Sequence, residues 1–337
     1  MAERQAERAT DNSPVAHVNN EEFDLDEALR ASLRHGASQL STHLKCLERD
    51  ICVGETKTKL HCYFLRLDAS GRVRVKLLAE YLRDQIIDYA IPRKTIKEAY
   101  RKAEETGSMA PLSSLHERAK GLFTGLAKSG EGGELLLFAM AEAIFGITQI
   151  ICKMSLKTSS SMHYHGADGV YAEAREDSGL NLYWGESKIY GDASAAIRNC
   201  LQSLAPFLRD PEGSDAARNQ DILLINEFAN FSDERLVEAL KQFLDPNDPS
   251  SLSVCHRGFA MSAFDSAAYP AADIEGQADE IAAAITEELA NWVETADRRI
   301  CHEGLERFDI HFICVPLPSA EEFRTHFLKL LGFGDED

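Results

Sequence analysis

The chain has 337 residues, 44% of them hydrophobic and 27% charged, enough to bury one large core or two modest ones and enough to exclude fibrous or wholly disordered classes. No apolar run reaches the roughly 18 residues of a membrane span, and MAERQAERATDNSP has no apolar signal region, so we expect a soluble, non-exported, cytoplasmic protein with no membrane partner. The net charge of −19 speaks against nucleic-acid binding, but it is uneven: residues 45–128 sum to +6, residues 129–337 to −21 and residues 1–44 to −4. A basic block on an acidic body leaves room for one phosphate-facing surface, with solvated helix faces as the plainer reading of those charges. The eight cysteines are dispersed without a CxxC pair, against a disulfide framework or zinc finger and in keeping with reduced thiols.

In chain order, residues 1–20 are polar and unpatterned and read as a disordered tail. Residues 21–128 read as a relatively basic α+β region: an amphipathic helix from Glu21 to about Gly36, a strand around 58–67, a helix from about Val75 to Tyr89 stopped by Pro92, and a charged helix over 93–106 closed near Gly107. Residues 129–230 form the next unit. Its Gly-rich turn at 129–133 opens a buried helix from Glu134 to Ile147. Strands follow at Gln149–Lys157, Asp168–Arg175 and Leu180–Ile189, then a helix over 193–208 and a short buried strand at Asp221–Asn226. Residues 231–337 predict helix Asp233–Phe243, strand Leu252–Phe264, an Ala-rich helix Gln277–Cys301 suited to packing, strand Phe308–Val315 and helix Ser319–Leu331. That alternation reads as an α/β extension of the same sheet.

The chemistry lies at one end of two of these strands. Leu180, Leu182, Trp184, Glu186 and Lys188 share a strand face, so Glu186 and Lys188 project together. A hairpin turning through residues 176–179 lays Asp168, which opens the preceding strand, beside Glu186. Glu134, at the entrance of the buried helix, supplies a third carboxylate, with Glu131 one turn earlier as its competitor. Clustered carboxylates repel unless a cation lies between them, and a hard ion with oxygen ligands suits the set: Mg²⁺, with Mn²⁺ as its substitute. We therefore expect Glu134, Asp168 and Glu186 to bind the metal and Lys188 to support the attacking water, with the Ser187 carbonyl as a further ligand.

The pattern Glu134, Gly166-Ala-Asp168-Gly and Gly185-Glu186-Ser-Lys188, in the order helix, three strands, helix, strand, resembles the PD-(D/E)xK nuclease superfamily, with Ala167 where the naming proline stands. E-x-K alone is a weak signal, since Glu55-Thr-Lys57 repeats it. A longer resemblance rests on Tyr89-Ala-Ile-Pro-Arg93, Gly130-Glu-Gly-Gly-Glu-Leu-Leu-Leu137, Lys153-Met-Ser-Leu-Lys-Thr158, His165-Gly-Ala-Asp-Gly169 and Glu186-Ser-Lys-Ile-Tyr190. From about residue 21 to 331 the chain is similar to the HamA-like nuclease subunit of Hachiman-type antiphage defence. The resemblance implies a restriction-endonuclease-like α/β core with a mixed central sheet flanked by helices. It also implies a DNA-degrading effector restrained by a separate superfamily-two helicase; the chain has no GxxxxGK[ST] loop and so no ATP motor of its own.

Plainer readings stand beside these. Glu186 with Lys188 can be an exposed cross-strand ion pair, Asp168-Gly169 turn chemistry, and Glu134 a favourable helix-start charge. Lys153, Lys157 and His165 are candidate DNA-phosphate contacts against the alternative of ordinary solvated side chains, and His163 with His165 lacks a third ligand for zinc. Cys255-His256 reads as core. Two other functions remain open: a stand-alone repair or restriction nuclease, and a non-catalytic interaction subunit of a helicase complex.

Overall fold

A computed structural model describes residues 23–123, 130–156, 166–209, 217–228, 231–270 and 275–333. The expected tail at 1–20 lies outside them. One seven-stranded sheet organises the molecule, with strands β1 (Leu44–Cys52), β2 (Lys59–Leu65), β3 (Thr148–Gln149), β4 (Gly169–Ala174), β5 (Leu180–Tyr190), β6 (Val254–Asp265) and β7 (Ile310–Leu317) in the spatial order β1-β2-β7-β6-β5-β4-β3. The pairs β2·β7, β7·β6 and β6·β5 are parallel, while β1·β2, β5·β4 and β4·β3 are antiparallel. The expected mixed central sheet is present. The C-terminal strands do not prolong it at an edge, however: β6 and β7 fill its centre and join β5 to the N-terminal β2.

Helices cover both faces. On one lie α2 (Val75–Asp84), α6 (Glu131–Met140) and α11 (Ala320–Leu330); on the other α7 (Ala193–Leu208) spans β5 and β6, backed by α10 (Ala278–Glu303). With both faces covered, β5 is buried along almost its whole length. Trp184 projects to the α7 side and stacks on Phe207 at 5.7 Å. The glycines of the α6 entrance permit close approach: a Cβ on Gly132 would sit 3.3 Å from Phe323 and Phe327, and one on Gly133 3.0 Å from Ile189. Shorter helices α1 (Leu25–Ala31), α3 (Ile86–Ala90), α4 (Arg93–Thr106), α5 (Ala110–Lys120), α8 (Ala217–Phe228) and α9 (Glu234–Leu244) complete the chain.

Several expectations need correction. The run Asp221–Asn226 is no strand but part of α8, where Asp221 and Ile225, four apart, are the buried pair and Leu223 is exposed. Six apolar-rich residues are too few for periodicity to decide between helix and strand. The strand expected over Gln149–Lys157 shrinks to β3 followed by a 3-10 turn at Lys153–Leu156. The helix over 75–89 breaks at Gln85 into α2 and α3, and that at 21–36 contracts to α1, capped by Asp24 accepting from Glu27 N–H. β1 has no forecast because it is a largely exposed edge without alternation, its pairing irregular around Asp50 at φ 60°.

Candidate active site

Hairpin register builds the site. Gly169 pairs with Gly185, so Asp168 and Glu186 come next to each other at the mouth of β4 and β5, and Asp168 N–H donates to the Gly185 carbonyl at 2.8 Å. Both glycines are needed because the Tyr171 ring occupies the space: a Cβ on Gly169 would lie 2.4 Å from the Tyr171 hydroxyl and one on Gly185 2.8 Å from the ring. Gly169→Ala therefore displaces a buried ring beside Asp168. We expect it to cost about 1–3 kcal/mol of stability in urea unfolding, and an unchanged midpoint would refute this.

Asp168 Oδ2 accepts from Ser187 N–H at 2.8 Å and from Ser187 Oγ at 2.9 Å. Lys188 Nζ donates to Glu186 Oε2 and to the Ser187 carbonyl, both at 3.1 Å. Glu186 is only 4% exposed, so its ion pair with Lys188 is not the solvated surface pair of the plainer reading. The structure thus brings Asp168, Glu186 and Lys188 together as expected. It adds the Ser187 hydroxyl, which no spacing rule singles out.

Burial and the neighbouring Asp168 push the Glu186 carboxyl up to about 8, with Lys188 and Lys153 opposing the rise. Burial works against the Lys188 ammonium, but Asp168 and Glu186 outweigh it and hold its pKa above the usual lysine value. One lysine cannot balance two close carboxylates, so Glu186 takes up a proton below about pH 8. The folded chain then binds more protons than the unfolded chain between pH 4.5 and about 8, so this group's contribution to stability falls as pH rises through that window. We expect metal-free Glu186→Gln to lose that slope in thermal melts from pH 5 to 8; a slope equal to wild type would contradict the assignment.

Glu134 takes a different place. Its Oε2 accepts from Tyr89 O–H at 2.9 Å, and its charge acts together with that of Asp168 on the buried Tyr89 and Tyr171 hydroxyls. Glu131 is buried nearby in the same first turn. Among the described residues, no three His, Cys, Asp or Glu side chains gather into a metal-holding group. The donors that do converge, the Asp168 and Glu186 carboxylates and the Ser187 carbonyl, are all oxygen, and their uncompensated charge fits a hard divalent cation that completes its shell with water and phosphate oxygens.

Lys153, expected to contact DNA phosphate, instead turns inward. Its ammonium lies 2.7 Å from both carboxylate oxygens of Asp221 and donates to the Ala167 carbonyl at 2.6 Å. A phosphate role for it is set aside, because its charge is already paired with a fully buried carboxylate. Lys157, His163 and His165 lie outside the described residues. His256 accepts from Trp184 Nε1 at 3.1 Å, but it and Cys255 are half-buried at the start of β6 rather than core, whereas α10 packs on α7 as expected. A cleft of about 950 Å³ between α4 and α9 has mixed-sign walls and includes none of Asp168, Glu186 or Lys188.

The fold and site define a mixed α/β protein that holds two carboxylates and a lysine at the end of a buried hairpin. The HamA family model matches residues 41–331, and the chain belongs to that family. The family is one of Hachiman defence components, which assigns the protein to antiphage defence. Among curated proteins none matches the chain. Among the described residues, no helix is long and apolar enough to cross a membrane.

Proposed function

We propose that the protein is the nuclease of its defence system: a metal-dependent deoxyribonuclease with a PD-(D/E)xK core that hydrolyses phosphodiesters with little sequence preference alongside a superfamily-two helicase subunit. The observation that carries this reading is the pairing of Asp168 with Glu186 and Lys188 in a buried, charge-deficient cluster. Two carboxylates that share one lysine in a buried setting carry a charge that a bound cation would neutralise, and carboxyls perturbed in this way cluster at functional sites.

Asp168 and Glu186 would hold Mg²⁺ or Mn²⁺ with the Ser187 carbonyl as a further oxygen donor, while Glu134, engaged by the Tyr89 hydroxyl, would contribute through its charge. Bound there, the ion would polarise the phosphodiester and acidify a water. Ser187 fixes the Asp168 carboxylate through two hydrogen bonds, so the carboxylate is oriented before substrate arrives. The Lys188 ammonium offsets the charge that builds on the phosphoryl oxygens and holds the attacking water in line. The water oxygen bonds to phosphorus as its proton passes to solvent, the bond to the leaving sugar oxygen breaks, and that oxygen takes a proton from a second water.

Supercoiled plasmid incubated with the chain, alone and with the helicase, in Mg²⁺ or EDTA, tests the reading. Cleavage that needs Mg²⁺ and disappears in Asp168→Ala supports it. Cleavage absent under every condition favours a non-catalytic interaction subunit, and cleavage that survives the substitution rejects the site. Cleavage without any helicase, in a chain that does not co-purify with one, favours a stand-alone nuclease. The charge of −19 carries a further expectation: the isolated chain binds DNA weakly, and binding measured by fluorescence anisotropy falls steeply with added salt. Tight, salt-insensitive binding would overturn it.

A further inference from the structure

The peptide that leads into Asp168 is held from both sides by residues distant in sequence. Asp221 Oδ2, from α8, accepts the Ala167 N–H at 3.1 Å, and Lys153 Nζ donates to the Ala167 carbonyl at 2.6 Å. The two side chains are ion-paired at 2.7 Å, Asp221 fully buried and Lys153 nearly so. One residue further on, Asp168 N–H is held by the Gly185 carbonyl and its carboxylate by Ser187. Gly166 completes the arrangement, because a Cβ there would meet Asp221 Oδ1 at 2.6 Å and Lys153 Nζ at 2.8 Å.

A buried ion pair of this kind is a poor way to gain stability. Removing two charges from water costs several kcal/mol, and apolar replacements of similar shape are often neutral or stabilising. What the pair does supply is direction: its hydrogen bonds restrain both polar groups of Ala167 and so determine where the Asp168 backbone stands. Partners one step behind a metal-binding carboxylate have a large effect on the ligand they orient.

We infer that Asp221 and Lys153 are positioning residues, a clamp on the Ala167 peptide that aims the Asp168 carboxylate at its cation. The inference rests on the proposed metal-dependent reading of Asp168. It gives α8, together with the turn at 153–156, a task in the site that neither motif nor spacing indicates. It also explains why Lys153 is turned away from solvent.

The test uses the full-length chain and Mn²⁺ as probe. Lys153→Met combined with Asp221→Leu removes both charges at once, so neither is left buried alone. Titration of Mn²⁺ followed by electron paramagnetic resonance reads metal affinity, thermal melting reads the fold, and plasmid cleavage at saturating Mn²⁺ reads the rate. We expect Mn²⁺ affinity to weaken by about 10–100-fold while the melting transition stays cooperative and close to wild type. As a second variant, Gly166→Ala, which crowds the clamp without removing a charge, is expected to weaken Mn²⁺ binding in the same sense. Wild-type affinity in both folded variants, with Asp168→Ala failing to bind, overturns the clamp and leaves the nuclease reading standing. Wild-type protein that neither binds Mn²⁺ nor cuts DNA overturns both.

Discussion

Lys188→Ala is expected to lower plasmid cleavage at pH 7.5 by about 10²–10³-fold, the usual loss when one preorganised charge at a reacting centre is removed. Two effects combine. The ammonium that would meet the developing phosphoryl charge is gone, and Glu186 loses the nearer of the two lysines that oppose its upward shift. Its carboxyl then titrates still higher than about 8, so the protonated form that the metal-free wild type already holds at neutral pH persists to higher pH in the variant and competes more strongly with a cation. The sign follows: raising the pH to 9 restores part of the variant's activity by ionising Glu186, and it cannot restore the part that belonged to the ammonium. Initial rates for wild type and variant across pH 7–9.5 measure both components. A rate equal to wild type at every pH would remove Lys188 from the reaction.

The largest loss of stability is expected far from that chemistry, in Glu142→Ala. Glu142 lies in the π-turn that follows α6 and is almost fully buried. Its carboxylate accepts from Arg34 N–H at 3.1 Å, Arg34 Nη1 at 3.0 Å, Arg93 Nη2 at 3.3 Å and Gln149 N–H at 3.2 Å. Arg93 also donates to the Ser32 carbonyl at 2.9 Å and the Gln149 carbonyl at 3.2 Å, so the network around this carboxylate ties the segment after α1, α4, the turn after α6 and β3 together. Burial and the adjacent Arg34 already lower Arg93 to about 9, and Glu142 opposes that shift. Without Glu142 two buried guanidinium groups face each other, and urea unfolding should report a loss of about 3–5 kcal/mol. A loss below about 1 kcal/mol would reduce the network to the value of an exposed pair. Folded variant should still cut DNA, since Asp168, Glu186 and Lys188 are anchored by β4 and β5.

How much of this was legible in the sequence depends on the range of each contact. The hairpin over 169–190 and the meeting of Asp168 with Glu186 follow from period-two alternation and a short turn, because the turn sets the register and the register sets which residues face each other. Helix α7, the long α10 and the last strand and helix follow from local periodicity as well. Of the stretches that carry the HamA resemblance, 166–169 and 186–190 lie at this hairpin and 130–137 opens α6, and the family match over 41–331 agrees with it.

What only the tertiary structure decided is non-local. Strands β6 and β7 enter the middle of the sheet through parallel crossovers, an order that no single strand's pattern encodes. β1 pairs as an exposed edge, where burial imposes no alternation. Asp221 looked like part of a buried strand because a short apolar run fits helix and strand alike; packing made it helical and delivered its carboxylate to Lys153 and Ala167. Lys153 looked like a phosphate contact because a lone lysine in sequence is solvated by default, and only a buried partner 68 residues away turns it inward. The chain's local periodicity therefore determined the hairpin that carries Asp168, Glu186 and Lys188, while long-range packing decided what holds that hairpin in place.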